Sequence, residues 1–162
     1  MKRHFLSRWM CLLFVLVAYQ PATAATLVGK DAPEFALVSL PGPKVTLSKL
    51  RQQGQVLLVF WTTECLYCLS HIDDLNKMQA KHSTRLTVTA INIGGEVSRE
   101  IRDYVKRNKI GYLILADRLN NIEVGDAYQV KGTPTMVLIS AEGKVLYVGA
   151  SVSKVSQWLD KS

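Results

Sequence analysis

Cys65 and Cys68 stand three residues apart, just behind an apolar run from Val56 to Trp61 and a short polar link, Thr62-Thr63-Glu64. The run reads as a strand of the buried type. The stretch from Cys65 to about Lys81 reads as a helix, with Leu66, Leu69, Ile72, Leu75 and Met78 near helical spacing. Two side chains three apart at a helix start share one face, close enough to close a disulfide without moving the backbone far. A helix N-terminus offers free N–H groups and partial positive charge, which favour a thiolate. Strand, turn, thiol pair and helix together make a site that can exchange electrons with another disulfide.

The first 24 residues read as a secretory leader. A basic start (Met1-Lys2-Arg3-His4, with Arg8) precedes an apolar core from Trp9 to Ala18 and the small-residue signal Ala22-Thr23-Ala24. That core is about ten residues, short of the ~20 that span a bilayer. Left uncleaved, the leader would act as an anchor. Cys11 follows Arg8-Trp9-Met10 rather than small residues, which argues against a lipoprotein. Cleavage would remove Cys11 and three cationic residues, lowering the net charge from +7 to about +4. Residues 25–162, roughly 138 in number, then form one domain. A cysteine pair this close encloses too small a loop to staple a fold. In an exported protein that points to redox chemistry and the periplasm. The cations Arg99, Arg102, Lys106, Arg107 and Lys109 have helical spacing and read as a solvated face, so nucleic-acid binding is not indicated.

Along the chain, Phe35 to Val38 and Val45 to Leu47 flank Pro41-Gly42-Pro43-Lys44 and predict a leading hairpin. Ser48 to Arg51 predicts a helical turn. Leu86 to Ile93 predicts a strand ended by Gly94-Gly95, and Ser98 an N-cap for a helix to about Arg107. A short strand over Tyr112 to Ala116 and a helix over Asn121 to Tyr128 follow. Thr135 to Ile139 and Lys144 to Val148 form a closing hairpin around Ala141-Glu142-Gly143, and Val152 to Leu159 a last helix. Alternating strands and helices imply parallel pairing, and the closing hairpin an antiparallel edge. The expected fold is α/β: a three-layer sandwich around a mixed sheet with helices on both faces, plus the N-terminal hairpin.

These residues resemble the thioredoxin-like superfamily, and within it the exported thiol–disulfide oxidoreductases of the TlpA/ResA type. The landmarks are Ala32-Pro33-Glu34-Phe35 with Leu47-Ser48, Val59-Phe60-Trp61, Cys65-Leu66-Tyr67-Cys68, and Tyr128 to Thr135 with Ile139 to Gly143. The resemblance spans nearly everything from Gly29 on. It implies a cis Thr133-Pro134 bond facing the cysteines across a substrate cleft. Proline lacks a donor, so the Thr133 backbone is free to pair with a substrate strand. It also implies a membrane thiol-electron donor of the DsbD/CcdA kind, with apocytochrome c or copper-site assembly proteins among the family's substrates.

The chain departs from the family at several places. Glu64 stands where Trp is usual before the first cysteine, and Leu66-Tyr67 replaces Gly-Pro or a charged-Pro pair. Val59 takes the place of the thioredoxin-type buried acid. His71 sits where relatives carry Glu, and Asp73 where proline is common. The redox core is intact, while redox potential, proton handling and partner choice are open.

The residues assign the cysteines unequal roles. Cys65, more exposed at the helix start, is the expected nucleophile, with a pKa below the free value of ~8.5. Cys68 is the resolving thiol. Glu64 disfavours the Cys65 thiolate by like charge, which argues for a reductase, and His71 is a candidate cation or proton relay. Trp61 and Tyr67 are expected to pack or edge the cleft, and His82 has no evident role. The expected activity needs no cofactor or metal and is that of a monomer acting on a protein disulfide or thiol pair. An oxidase or isomerase on the same scaffold is the nearest alternative; no extra dimerisation domain is visible. A copper- or zinc-binding module is a second, though Cys65, Cys68 and His71 give three ligands at best. Haem attachment fails because Leu69, not His, follows Cys68. A peroxidase reading of Thr62-x-x-Cys65 lacks its preceding proline, with Leu58 in that place.

Overall fold

The computed structural model describes residues 27–40 and 42–161. The expected leader lies outside them. Five strands form one sheet in the order β5-β4-β3-β6-β7, with a separate two-stranded ribbon of β1 (Ala36–Val38) and β2 (Lys44–Thr46). β3 (Gln55–Trp61) is central. It pairs in parallel with β4 (Leu86–Asn92), which pairs in parallel with β5 (Leu113–Leu115). On its other side β3 meets β6 (Thr135–Ile139) antiparallel, and β6 meets β7 (Val145–Gly149) antiparallel. The mixed sheet and leading hairpin are those the sequence predicts.

β3 explains the two cores. Leu57, Val59 and Trp61 point to one face, and Val56, Leu58 and Phe60 to the other, all at most 4% exposed. A strand buried on both faces must be apolar throughout, because its side chains alternate. On the first face lie α3 (Ile72–Lys81), α4 (Ser98–Arg107) and α6 (Val152–Lys161). The second is covered by α1 (Leu47–Arg51), α5 (Arg118–Ala127) and the hairpin.

The N-terminal segment closes both sheet edges. Gly29 N–H donates to Val145 O and Val145 N–H to Lys30 O on the β7 side. Phe35 and Leu37 then cross the second face, and Leu40 and Ala116 exchange bonds with Ile114 O and Val38 O on the β5 side. Capping an edge in this way removes a template for unwanted pairing. The sequence landmarks lock this strap. Tyr128 Oη donates to Pro33 O at 2.7 Å, with its ring 5.5 Å from that of Phe60, and Ser48 N–H donates to Glu34 Oε1 at 3.0 Å. Burial holds the Tyr128 phenol far above its usual pKa.

Two expectations need correction. The helix from Cys65 to Lys81 is interrupted at His71, giving α2 (Leu66–Ser70) and then α3. Strict three-residue spacing drifts by about 60° per step on an α-helix, so Leu66, Leu69, Ile72, Leu75 and Met78 do not share one face. Leu66 is 81% exposed and Leu69 41%, while the other three are buried. Second, Ser98 is the first residue of α4, not its cap. Val97 holds the cap position, and Glu100 Oε2 accepts its N–H at 3.3 Å. Among the described residues no helix is long and apolar enough to cross a membrane.

Candidate redox site

The site lies where β3 ends. Trp61 closes the strand against the first core, its ring 5.2 Å from that of Tyr104. A tight turn follows, with Cys65 N–H donating to Thr62 O at 3.3 Å. Cys65 is the N-cap of α2, and its Sγ accepts the Cys68 N–H at 3.0 Å. The two sulfurs form a disulfide, with Cα atoms 5.2 Å apart. Cys68 is buried at 7% exposure, whereas Cys65 is partly exposed. An attacking partner therefore meets Cys65 first. The direct donor to its sulfur is one backbone N–H of a five-residue helix rather than the dipole of a long one.

Behind Cys68 is a small, mainly apolar cavity that also touches Trp61, His71, Tyr112, Pro134 and Met136. It has about 10 Å³ of room for a water's centre, the lower limit for one molecule. Trp61 Nε1 and His71 Nε2 are buried without a hydrogen-bond partner. Burial holds the Tyr112 phenol far above its usual range, so it stays protonated.

The structure brings together Cys68, His71 and Pro134 at this cavity. The Thr133-Pro134 peptide bond is cis, with Pro134 buried and Thr133 partly exposed. Tyr67 is 63% exposed, and its ring meets that of His71 edge-on at 5.0 Å. Glu64 is exposed, in a separate cleft shared with Glu96, Glu100, Asp103 and Arg107. Among the described residues no group of three or more His, Cys, Asp or Glu side chains is arranged to hold a metal ion.

One residue was missed in the sequence. Glu96, in the loop after β4, reaches back to the turn before the cysteines. Its Oε1 accepts both the Thr63 N–H at 2.6 Å and the Thr63 hydroxyl at 2.7 Å. Burial works to raise the Glu96 pKa. The two Thr63 donors, its own N–H and the Asn92 side chain outweigh that and hold it below the usual carboxylate range. Oε2 is buried with no hydrogen bond of its own. The only sequence signal was a carboxylate directly after Gly94-Gly95, and it points to chemistry only once the fold brings that loop against Thr63.

The mixed sheet, a disulfide at a helix N-cap and a buried proline at its back define a thioredoxin-like protein with a Cys-x-x-Cys redox site. Residues 28–148 match the AhpC/TSA family profile, and the chain belongs to that family. It is 34% identical over 122 residues to the thiol-disulfide oxidoreductase ResA of Bacillus subtilis, an alignment covering 74% of this chain and 65% of ResA. The thioredoxin-like protein YneN of the same organism is 28% identical over 82% of this chain and 78% of its own. A putative thiol:disulfide interchange protein DsbE from Chlorobium tepidum superposes with a TM-score of 0.76 at 26% identity, covering 85% of this chain and 98% of that one.

Proposed function

We propose that this chain is an exported thiol–disulfide oxidoreductase that reduces disulfides in protein substrates. The observation that carries this reading is the asymmetry of the Cys65–Cys68 pair: one sulfur at the surface and backed by an N–H, the other sealed in the core. Relatives named thiol-disulfide oxidoreductases support the same activity. In the reduced protein the Cys65 thiolate attacks a substrate disulfide. One substrate sulfur leaves as a thiol, and a mixed disulfide forms. Cys68 gives up its proton and attacks Cys65 Sγ, which releases the second substrate thiol and restores the internal disulfide. His71 lines the same cavity as Cys68 and is a group suited to take that proton. The exposed patch of Leu66, Tyr67 and Leu69 around the disulfide offers apolar contact to the substrate.

Two features favour the reducing direction. Glu64 precedes Cys65, and a carboxylate there disfavours the thiolate, which stabilises the disulfide relative to the reduced form. The sulfur is also served by a short helix rather than a long one. The electron donor in this reading is a membrane thiol carrier of the DsbD/CcdA class, and the location is the periplasm. The test is insulin reduction coupled to a thiol regenerating system, with hydrogen peroxide as a competing acceptor. Turnover of insulin but not of peroxide supports the reading; peroxide turnover without insulin reduction overturns it.

A further inference from the structure

We propose that Glu96 is a positioning residue for the redox pair: its carboxylate grips both donors of Thr63 and so sets the turn that presents Cys65 at the head of α2. The proposal rests on the reading of Cys65 as nucleophile.

The loop after β4 is built to deliver this carboxylate. Gly95 has φ +77°, a conformation that favours glycine. A Cβ at Gly94 would collide with the Glu96 carboxylate, so the side chain folds back only because that position is bare. Arg118 Nε donates to Gly95 O at 3.0 Å and pins the loop to α5. Glu96 thus arrives from a framework anchored far from the cysteines in sequence.

What it holds is Thr63, in the short link between β3 and the cysteines. Thr63 lies inside the turn closed by Cys65 N–H and Thr62 O. Its N–H has Glu96 as its acceptor. The hydroxyl bond is a second point of attachment, so the peptide unit is fixed in rotation as well as distance. Hydrogen bonds to a charged acceptor are roughly twice as strong as neutral ones. With the turn fixed, Cys65 Sγ stays within reach of the Cys68 N–H, the bond that stabilises its thiolate. Glu96 therefore has two opposed effects on Cys65: its grip favours the thiolate by geometry, and its charge, in the cleft it shares with Thr63 and Glu64 just ahead of Cys65, disfavours it.

Substitutions separate the two. Thr63→Val keeps the shape and the N–H but loses the hydroxyl, so the charge remains and the grip weakens. Glu96→Gln removes the charge while keeping a neutral, weaker acceptor for Thr63, so it reads the loss of charge against a partly retained grip. Asp103→Asn removes another carboxylate of the same cleft without touching Thr63. The measurement is the pH profile of iodoacetamide alkylation in the reduced full chain, with the modified cysteine located by mass spectrometry and folding checked by thermal melts. At pH 7 the Thr63→Val protein should react about threefold slower than wild type, and the Glu96→Gln protein about threefold faster, each through a shifted thiolate pKa. Asp103→Asn should stay near wild type. Opposite shifts in the first two variants support the proposal, and Glu96→Gln alone decides if Thr63→Val fails to fold. No shift, shifts in the same direction, or an Asp103→Asn effect as large as that of Glu96→Gln overturns it. Alkylation of wild type at Cys68 first would instead defeat the assignment of the nucleophile, and the two failures are distinguishable.

Discussion

Cys68 donates its backbone N–H to the sulfur of Cys65 across 3.0 Å, and its own sulfur is the one bonded there. In the disulfide form, Cys68 thus holds Cys65 by a covalent bond and by its backbone N–H. After reduction, a Cys65 thiolate with the backbone in this position would have the same N–H as a charge-assisted donor.

The first prediction concerns which sulfur meets the substrate. Cys68→Ser should accumulate protein mixed disulfides through Cys65, because nothing remains to release them. Cys65→Ser should accumulate none above background, since Cys68 is buried. Non-reducing gels of trapped material, followed by peptide mapping, read both. Adducts on Cys68 would reverse the assignment.

His71 should matter after that first attack. It lies on the cavity wall with Cys68, its Nε2 buried without a partner. His71→Ala should leave the alkylation rate of Cys65 close to wild type and slow release of the mixed disulfide by about a hundredfold, the lower end for loss of a general base. Stopped-flow release from a chromogenic disulfide separates the two steps. Equal slowing of both would assign His71 to packing.

A stability prediction falls on α5. Asn121 is fully buried, and its Nδ2 donates to Asn92 O and Leu115 O, each at 2.8 Å. Its Oδ1 also accepts the Asp117 N–H. This one side chain ties the helix to the ends of β4 and β5. Asn121→Ala removes the shared side-chain donor from two buried carbonyls and the acceptor of the Asp117 N–H, and should cost about 2–3 kcal/mol in urea unfolding. A loss under about 0.5 kcal/mol, the range of ordinary surface changes, would show that the ties carry no weight.

Acid sensitivity should centre on His82, which the sequence left without a role. It is buried, and Arg85 Nη2 lies 3.2 Å from its Nδ1. Arginine only donates, so Nδ1 accepts and the ring is neutral. Burial first, then Arg85 and Lys81, lower its pKa, against a smaller opposing pull from Asp160. The unfolded chain therefore takes up this proton more readily than the folded one. Stability from this group is present above the unfolded value of about 6.5 and lost as pH falls toward the lower folded value. Arg85 Nη2 also donates to Leu159 O at 2.6 Å, so the weakened contact bears on α6. The urea midpoint should drop between pH 7 and pH 5, and His82→Gln should flatten that slope. An unchanged slope in the variant would remove His82 from the account.

Much of the fold was legible because its signals are local. The β3 run is apolar at every position because both faces are buried, and no helix or edge strand demands that. Pro41-Gly42-Pro43-Lys44 and Ala141-Glu142-Gly143 marked two hairpins that the structure contains. The break at His71 was not legible. Apolar residues at every third position fit a helix roughly, and only the core decides which of them it takes. Within the site, Cys65 and Cys68 stood out by type and spacing, and His71 and Pro134 through the family resemblance. Glu96 did not, since it lies 33 residues from Thr63 and the two meet only through parallel β3–β4 pairing. Asn121 and His82 were hidden likewise: each is an ordinary polar residue until the fold buries it.

The most direct measurement is an equilibrium titration of the purified chain in glutathione buffers, with Cys65 and Cys68 read together by thiol alkylation and mass spectrometry. One reversible two-electron transition is expected, with both thiols appearing at once, at a potential nearer ~−270 mV than ~−120 mV. A pair that stays oxidised in excess reductant, or titrates as two separate thiols, would contradict it.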